Sequence, residues 1–212
     1  MVQLFSFFIT TFITLFVIID PIAGAMIFSS IAKAMDDKKR MDMAKNTAIF
    51  GCSLLLFFAI TGNYILSFFR ITTDSLSVAG GVLLFMIAID MMYAKKSREA
   101  YTEEEFEEER EYMYIVPLAI PLLTGPAAIT SVILLMERGE SFYFKIMVLL
   151  AVILTFLVTW ILLRFSDQIN RILGITGSMV FRRMMGLFLA AIAVEFISNG
   201  IWNIFNSFIS VS

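Results

Sequence analysis

Gly81-Val-Leu-Leu-Phe-Met-Ile-Ala-Ile-Asp90 and Gly186-Leu-Phe-Leu-Ala-Ala-Ile-Ala-Val-Glu195 read as two versions of one segment. Four of the ten aligned pairs are identical, and the Ile/Val and Asp/Glu pairs are chemically alike. The same offset of 105 residues carries Pro21 onto Pro126. Both copies lie in apolar stretches, each opening on a segment broken by proline and glycine and closing on a carboxylate. Interrupted hydrophobic segments at corresponding places in two halves are a sequence sign of a transporter's binding region.

Working outward, the composition excludes an ordinary soluble domain. The chain is 59% hydrophobic and 16% charged, against about 45–50% apolar and about 25% charged in soluble proteins. Its mean hydropathy is +0.88. A membrane-crossing helix needs about 20 mostly apolar residues, and six such stretches are expected, near 4–33, 46–69, 75–93, 113–136, 142–163 and 184–209. The fold class is therefore all-α, polytopic and membrane-embedded, with six helices in two three-helix repeats. The expected units are residues 1–93, an acidic linker over 94–112, and residues 113–212. Ala32-Lys33-Ala34 resembles a leader-cleavage site. The preceding apolar run is too long for a leader, lacks a basic start and is broken at Asp20-Pro21, so residues 1–33 are read as mature protein.

Basic residues set the topology. Lys33, Lys38, Lys39, Arg40 and Lys45 fall in the first connection, Lys95, Lys96, Arg98 and Arg110 in the third, and Arg164, Arg171, Arg182 and Arg183 in the fifth. The opposite side holds only Arg70, Arg138 and Lys145. Both termini are therefore expected outside. Three spans per copy is an odd number, so the second copy must enter the membrane inverted. The Glu-rich run between Glu103 and Glu111 reads as a solvated cytoplasmic linker.

Chemistry concentrates at the two breaks. Asp20-Pro21-Ile22-Ala23-Gly24 interrupts a stretch that would span about 43 Å as one helix at 1.5 Å per residue, well beyond a hydrocarbon core of about 30 Å. Proline removes a backbone donor and clashes with the preceding turn, and it biases the residue before it away from helix. Pro117, Pro121 and Thr124-Gly125-Pro126-Ala127-Ala128 do the same in the second copy. Free carbonyls at such a break suit a cation, and the N-terminal end of the following half-helix suits a carboxylate. A zwitterionic amino acid carries both charges. Asp20, Pro21, Ala23, Gly24, Thr124, Gly125, Pro126 and Ala127 are thus the expected substrate-binding residues, with small side chains leaving room for a small ligand. Simple packing kinks are the competing explanation for the prolines.

Carboxylates within a span are costly and mark function by default. Asp20, Glu195 and Asp90 are the candidates for coupling to H⁺ or Na⁺, between which the sequence does not choose. Asp90, five residues before Lys95, fits a snorkelling role equally well. Asn199, Asn203 and Asn206 share a helical face with Glu195, which is expected to look into the bundle or a wet cavity. Asn63 joins Asn199 and Asn203 as an expected cavity-lining residue, although a helix–helix hydrogen bond also explains it. There is no His and a single Cys52, which leaves no His-ligated metal, no His general base and no intramolecular disulfide. No cofactor and no nucleic-acid partner is expected.

Ile19-Asp20-Pro21-Ile22-Ala23-Gly24, the segment Ala79 to Asp90, the proline-rich stretch Pro117 to Thr130, and Gly186 to Glu195 with Asn199-Gly200 resemble the MarC family of integral membrane proteins. The resemblance covers essentially the whole chain. It implies six helices, a prokaryotic inner or cell membrane, carriage of glycine- or alanine-like substrates, and a distant kinship with lysine-exporter-type carriers. A proline near Met26 and a glycine at Ala127, expected from the resemblance, are missing. The expected function is secondary transport of small neutral amino acids by alternating access about a midplane site, ion-coupled and not enzymatic. Two alternatives stand beside it. One is an efflux carrier for other small solutes or drugs. The other is an intramembrane aspartyl-type protease, against which Asp90 lacks the Gly-x-Gly-Asp context and Asp20 precedes proline.

Overall fold

A computed structural model describes residues 2–93, 123–139 and 141–209. The expected linker, Pro117 and Pro121 lie outside these residues. All the regular structure among the described residues is helical. Helix α1 runs Val2–Ile19 and α2 Pro21–Ile31, followed by a 3₁₀ turn, Ala32–Ala34. Then come α3 Asp37–Phe69, α4 Thr73–Tyr93, α5 Pro126–Arg138, α6 Phe142–Arg164 and α7 Ser166–Ile209.

Five stretches are long and apolar enough to cross a membrane: Val2–Ile31, Asp37–Phe69, Thr73–Tyr93, Phe142–Arg164 and Thr176–Ile209. These match five of the six expected spans. Of the remaining one, 113–136, only the part from Leu123 onward is described. Two boundaries differ from the sequence reading. Helix α3 starts nine residues before position 46, because polar Asp37–Lys45 continues the same helix beyond the apolar core. The basic region 166–183 is also helical rather than a loop, separated from α6 by a turn at Phe165 and kinked within α7 at Gly174, with φ 58° and ψ −173°. Glycine adopts that backbone without a Cβ penalty.

A membrane bundle gains little from hydrophobic sorting between helices, so close packing of small residues must hold it together. Helices α4 and α7 make the most extensive contact. A Cβ placed on Gly81 would sit 2.9 Å from the Ala193 carbonyl oxygen and 2.7 Å from the Ile197 side chain. One placed on Gly186 would sit 3.0 Å from the Ala88 carbonyl oxygen and from the Met92 side chain. Further along, Gly200 abuts the Asp74 carbonyl, so the two helices run antiparallel. Ser77 Oγ donates to the Phe196 carbonyl at 2.8 Å across the same contact.

The other contacts come in matched sets. Helix α2 packs on α6 and α7, and α5 packs on α3 and α4. Between α3 and α6, Gly51 lies against Phe156, where a Cβ would come within 2.5 Å of the ring. Half-helix α5 sits deepest. Ala127, Ala128 and Thr130 to Leu135 are all buried, the pattern of a helix enclosed on every side. Its neighbours in one core cluster include Leu15, Ile19, Leu55, Val148 and Phe156.

Replacing Gly81 or Gly186 by alanine is expected to cost about 1–3 kcal/mol, the range for overpacking, because each new methyl meets backbone that cannot swing away. Gly177, whose added Cβ would meet neighbours no closer than 3.5 Å, is the control, and its alanine variant should keep or raise the unfolding midpoint in detergent. Equal midpoints for all three variants would contradict the packing described.

Candidate functional site

The two breaks start their half-helices in the same register. Pro21 is the first residue of α2 after Asp20, and Pro126 the first of α5 after Gly125. Asp20 alone carries the first break. It is left-handed, with φ 44° and ψ 62°, and its side chain accepts a hydrogen bond from the Ala23 N–H at 3.2 Å. That is the behaviour of a helix N-cap, and Asp is among the few residues that visit this conformation. Pro21 has no N–H to offer the Val17 carbonyl, and the Ala23 N–H turns to the carboxylate. Gly24, read as part of the break, instead lies within helix α2. Its missing side chain admits Leu123, whose Cδ2 would lie 2.9 Å from a Cβ there.

Leu123 and Thr124 lead into α5, so the second break is packed against the start of α2. Pro21, Ala23, Gly24, Thr124 and Ala127 are buried, Gly125 is half-buried and Pro126 is exposed. Val17 and Ala127 share a core cluster with Ala88 and Ala193. Of the eight residues expected to bind substrate, Gly24 meets the chain leading into α5 through Leu123, whereas Thr124 lies against Gly51 of α3. Half-buried Arg182 of α7 lies within electrostatic reach of half-buried Asp20. No local pattern announces this neighbour, since 162 positions separate the two.

The open polar space lies toward the C-terminal end of α5. A pocket of about 410 Å³ is lined by Asp74, Ser77, Glu137, Arg138, Asn199 and Asn203, with Thr73, Leu134 and Gly200 completing it. Asn203 Nδ2 donates to Asp74 Oδ1 at 2.9 Å, and Asn63 Nδ2 donates to Glu137 Oε2 at 2.6 Å. Arg138 reaches Glu195 at 3.5 Å and stacks over the Phe196 ring at 5.3 Å. The expected stripe is therefore split. Asn199 and Asn203 line the pocket, Glu195 borders it through Arg138, and Asn206 is exposed beyond it. Glu195 is itself exposed, so its face borders the pocket and is not enclosed within the bundle. Asp90 is exposed too, and its expected partner Lys95 lies outside the described residues. Arg138 and Glu195 are 41% and 61% exposed. An ion pair so open is worth about 0–1 kcal/mol and is easily exchanged.

The opposite end, bearing Arg40, is tied differently. Asp167 accepts from Ser29 Oγ at 2.6 Å and from Arg40, whose other guanidinium nitrogen donates to Ser166 Oγ at 2.7 Å. This joins the end of α2, the start of α3 and the start of α7. The Arg40 and Ser29 hydrogen bonds hold the Asp167 carboxyl down at about 2, below the ordinary value of about 3.9. None of the sequence motifs marked it, because Ser29, Arg40 and Asp167 come from three separate helices.

Elsewhere, an apolar groove of about 310 Å³ between α3 and α6 is lined by Ile49, Cys52, Phe156 and Trp160 among others. Cys52 is a free, half-buried thiol. Among the described residues, no cluster of His, Cys, Asp or Glu could hold a metal ion.

Comparison with known proteins gives the same architecture a family. The family model described as "MarC family integral membrane protein" matches residues 5–205. The chain belongs to the MarC family. Among its relatives is a UPF0056 membrane protein of Methanocaldococcus jannaschii, 39% identical, with 97% of this chain and 91% of that protein covered. Another, from Archaeoglobus fulgidus, is 36% identical with 92% of each chain covered. The Bacillus subtilis relative is 32% identical over 96% of this chain and 98% of its own. No solved structure matches the chain. This MarC protein is therefore a multi-pass integral membrane protein.

Two predictions follow from the geometry. Asp20→Asn should fold as wild type, since Asn caps helices and tolerates left-handed backbone, whereas Asp20→Val should lose about 1–3 kcal/mol through backbone strain. Thermal unfolding in detergent checks both. Asp167 has a lowered carboxyl, so its stabilisation is present above about pH 4 and is lost as pH falls through about 2. The stability gap between wild type and Asp167→Asn should be full at neutral pH and shrink below about pH 4. A gap independent of pH would contradict the clamp.

Proposed function

We propose that this MarC protein is a secondary carrier of small neutral amino acids, built as two inverted three-helix halves that alternate access about the junction of α2 and α5. The observation that carries the reading is the pair of half-helices, each starting at a register-matched proline and converging on one junction. Discontinuous helices place backbone polar groups at membrane depth, which is tolerated only where protein or a ligand-filled cavity satisfies them. In carriers this is where substrate and ion bind.

The contacts support inversion. Gly81 and Gly186 meet Ala193 and Ala88, with Ile197 and Met92 alongside, and every one of these positions has its counterpart 105 residues away. Gly51 meets Phe156, its own counterpart. Antiparallel helices related in this way imply a two-fold axis in the membrane plane. With the charge bias, the Arg138 end faces outward and the Arg40 end faces the cytoplasm of a prokaryotic cell, both termini being outside.

The outward pocket favours a zwitterion. Arg138 suits a carboxylate, Asp74 and Glu137 suit an ammonium group, and the Asn199 and Asn203 amides serve either. Asp20, beside the junction, is the residue we assign to the coupling ion, H⁺ or Na⁺. Export of bulkier apolar solutes is the second reading, favoured only by the apolar groove at Phe156 and Trp160, which lies apart from the half-helix starts.

Uptake of labelled glycine and alanine into proteoliposomes, with an imposed pH or Na⁺ gradient, tests the proposal. Wild type should respond to one gradient. Asp20→Asn should lose uptake by about tenfold or more, a factor worth about 1.4 kcal/mol, while remaining folded. Undiminished uptake in that variant would remove Asp20 from the mechanism. Retention of a bulky apolar compound in preference to glycine would favour the second reading.

A further inference from the structure

The offset that relates the two halves has a consequence for charge. Arg138, the last residue of half-helix α5, corresponds to Lys33, which directly follows half-helix α2 in the 3₁₀ turn. Glu195 corresponds to Asp90. Both members of the Arg138–Glu195 ion pair thus have counterparts of the same charge sign. The two acidic residues also occupy matching places in the α4–α7 contact. Glu195 lies between Ala193 and Ile197, which meet Gly81, and Asp90 lies between Ala88 and Met92, which meet Gly186.

Their states differ. Arg138 and Glu195 are joined at 3.5 Å. Lys33 and Asp90 are both exposed, and among the described residues neither has an ion-pair partner. An inverted repeat reaches its second state when each half adopts the other's conformation, so a contact made on one side is exchanged for its counterpart on the other.

We propose that Lys33 and Asp90 form the cytoplasmic counterpart of the Arg138–Glu195 pair, the two ion pairs being made alternately as access to the α2–α5 junction switches sides. Lys33 and Arg138 are positioning residues at the ends of the half-helices, and Asp90 and Glu195 are their fixed partners on the α4–α7 pair. The exposure of the outer pair makes it weak enough to exchange. The Asp167 carboxylate, bonded to both Ser29 and Arg40, has no equivalent in the other half, since position 62 is glycine, and takes no part in the exchange. The inference rests on the inverted-carrier reading but not on the identity of the substrate.

The test is cross-linking of the full chain in lipid nanodiscs, in a Cys52→Ser background. Lys33→Cys is combined with Asp90→Cys, and a second protein combines Arg138→Cys with Glu195→Cys. Both are treated with a short thiol-reactive cross-linker. All four positions are exposed, so the packed core is untouched, and gel filtration with thermal unfolding verifies each protein. Both pairs should cross-link. Adding Arg138→Gln to the Lys33–Asp90 protein should raise its cross-linking rate severalfold, because it removes the tie holding the present state. Absence of 33–90 cross-linking in both backgrounds, or a rate unmoved by Arg138→Gln, would overturn the proposal. The expected cross-linking combined with no glycine or alanine uptake would keep the alternating pairs and discard only the amino acid substrate.

Discussion

Everything else in this fold leans on the crossing of α4 and α7, where Gly81 and Gly186 let each helix press against the other's backbone. In lipid, apolar side chains gain nothing by leaving their surroundings for one another, so association depends on how closely backbones approach. Here the approach is reciprocal, glycine to carbonyl in both directions, and Ser77 adds a hydrogen bond to the Phe196 carbonyl. A glycine contact repeated in both directions goes with the antiparallel sense of the two helices. In the inverted carrier we propose, helices α2 and α5 are then presented to each other from opposite directions.

That presentation explains why the break can be so small. A membrane interior gives water to no stray backbone group, so unwound chain must be kept short or filled. Asp20 achieves the first break with one left-handed residue, whose carboxylate takes up the Ala23 N–H while the following proline has none to satisfy. Gly125 and Pro126 begin the second half-helix without a side-chain cap. The two starts share a register but not a chemistry, and only the first carries a charge. Such an asymmetry suits a site where one side handles an ion and the other a neutral surface.

The sequence made much of this legible because duplication writes the same constraints twice. Pro21 and Pro126, Gly81 and Gly186, and Asp90 and Glu195 align from the sequence alone, and hydropathy locates five spans, two of which begin earlier than expected, at Asp37 and Thr176. What periodicity could not reach was pairing across distance. Arg182 within electrostatic reach of Asp20, Arg138 paired with Glu195, and the junction of Ser29, Arg40 and Asp167 each bring together residues from separate helices, with no local pattern to announce them. Gly24 was legible as a position that needs a small residue, but the Leu123 side chain that fills the space it leaves was not. The helical stretch 166–183 escaped for a different cause, its charges hiding a helix that starts just after α6 ends and kinks at Gly174.

The opposite entry of the two halves into the membrane, as we propose it, can be read by locating the connections. Single cysteines at Asp36, Thr72, Ser141, Arg171 and Ser207, in a Cys52→Ser background, would be exposed to a membrane-impermeant thiol reagent in intact cells. Positions 72, 141 and 207 should label from outside, and positions 36 and 171 only after the membrane is opened. Labelling of 72 and 141 from opposite sides would place the halves in parallel and contradict the account.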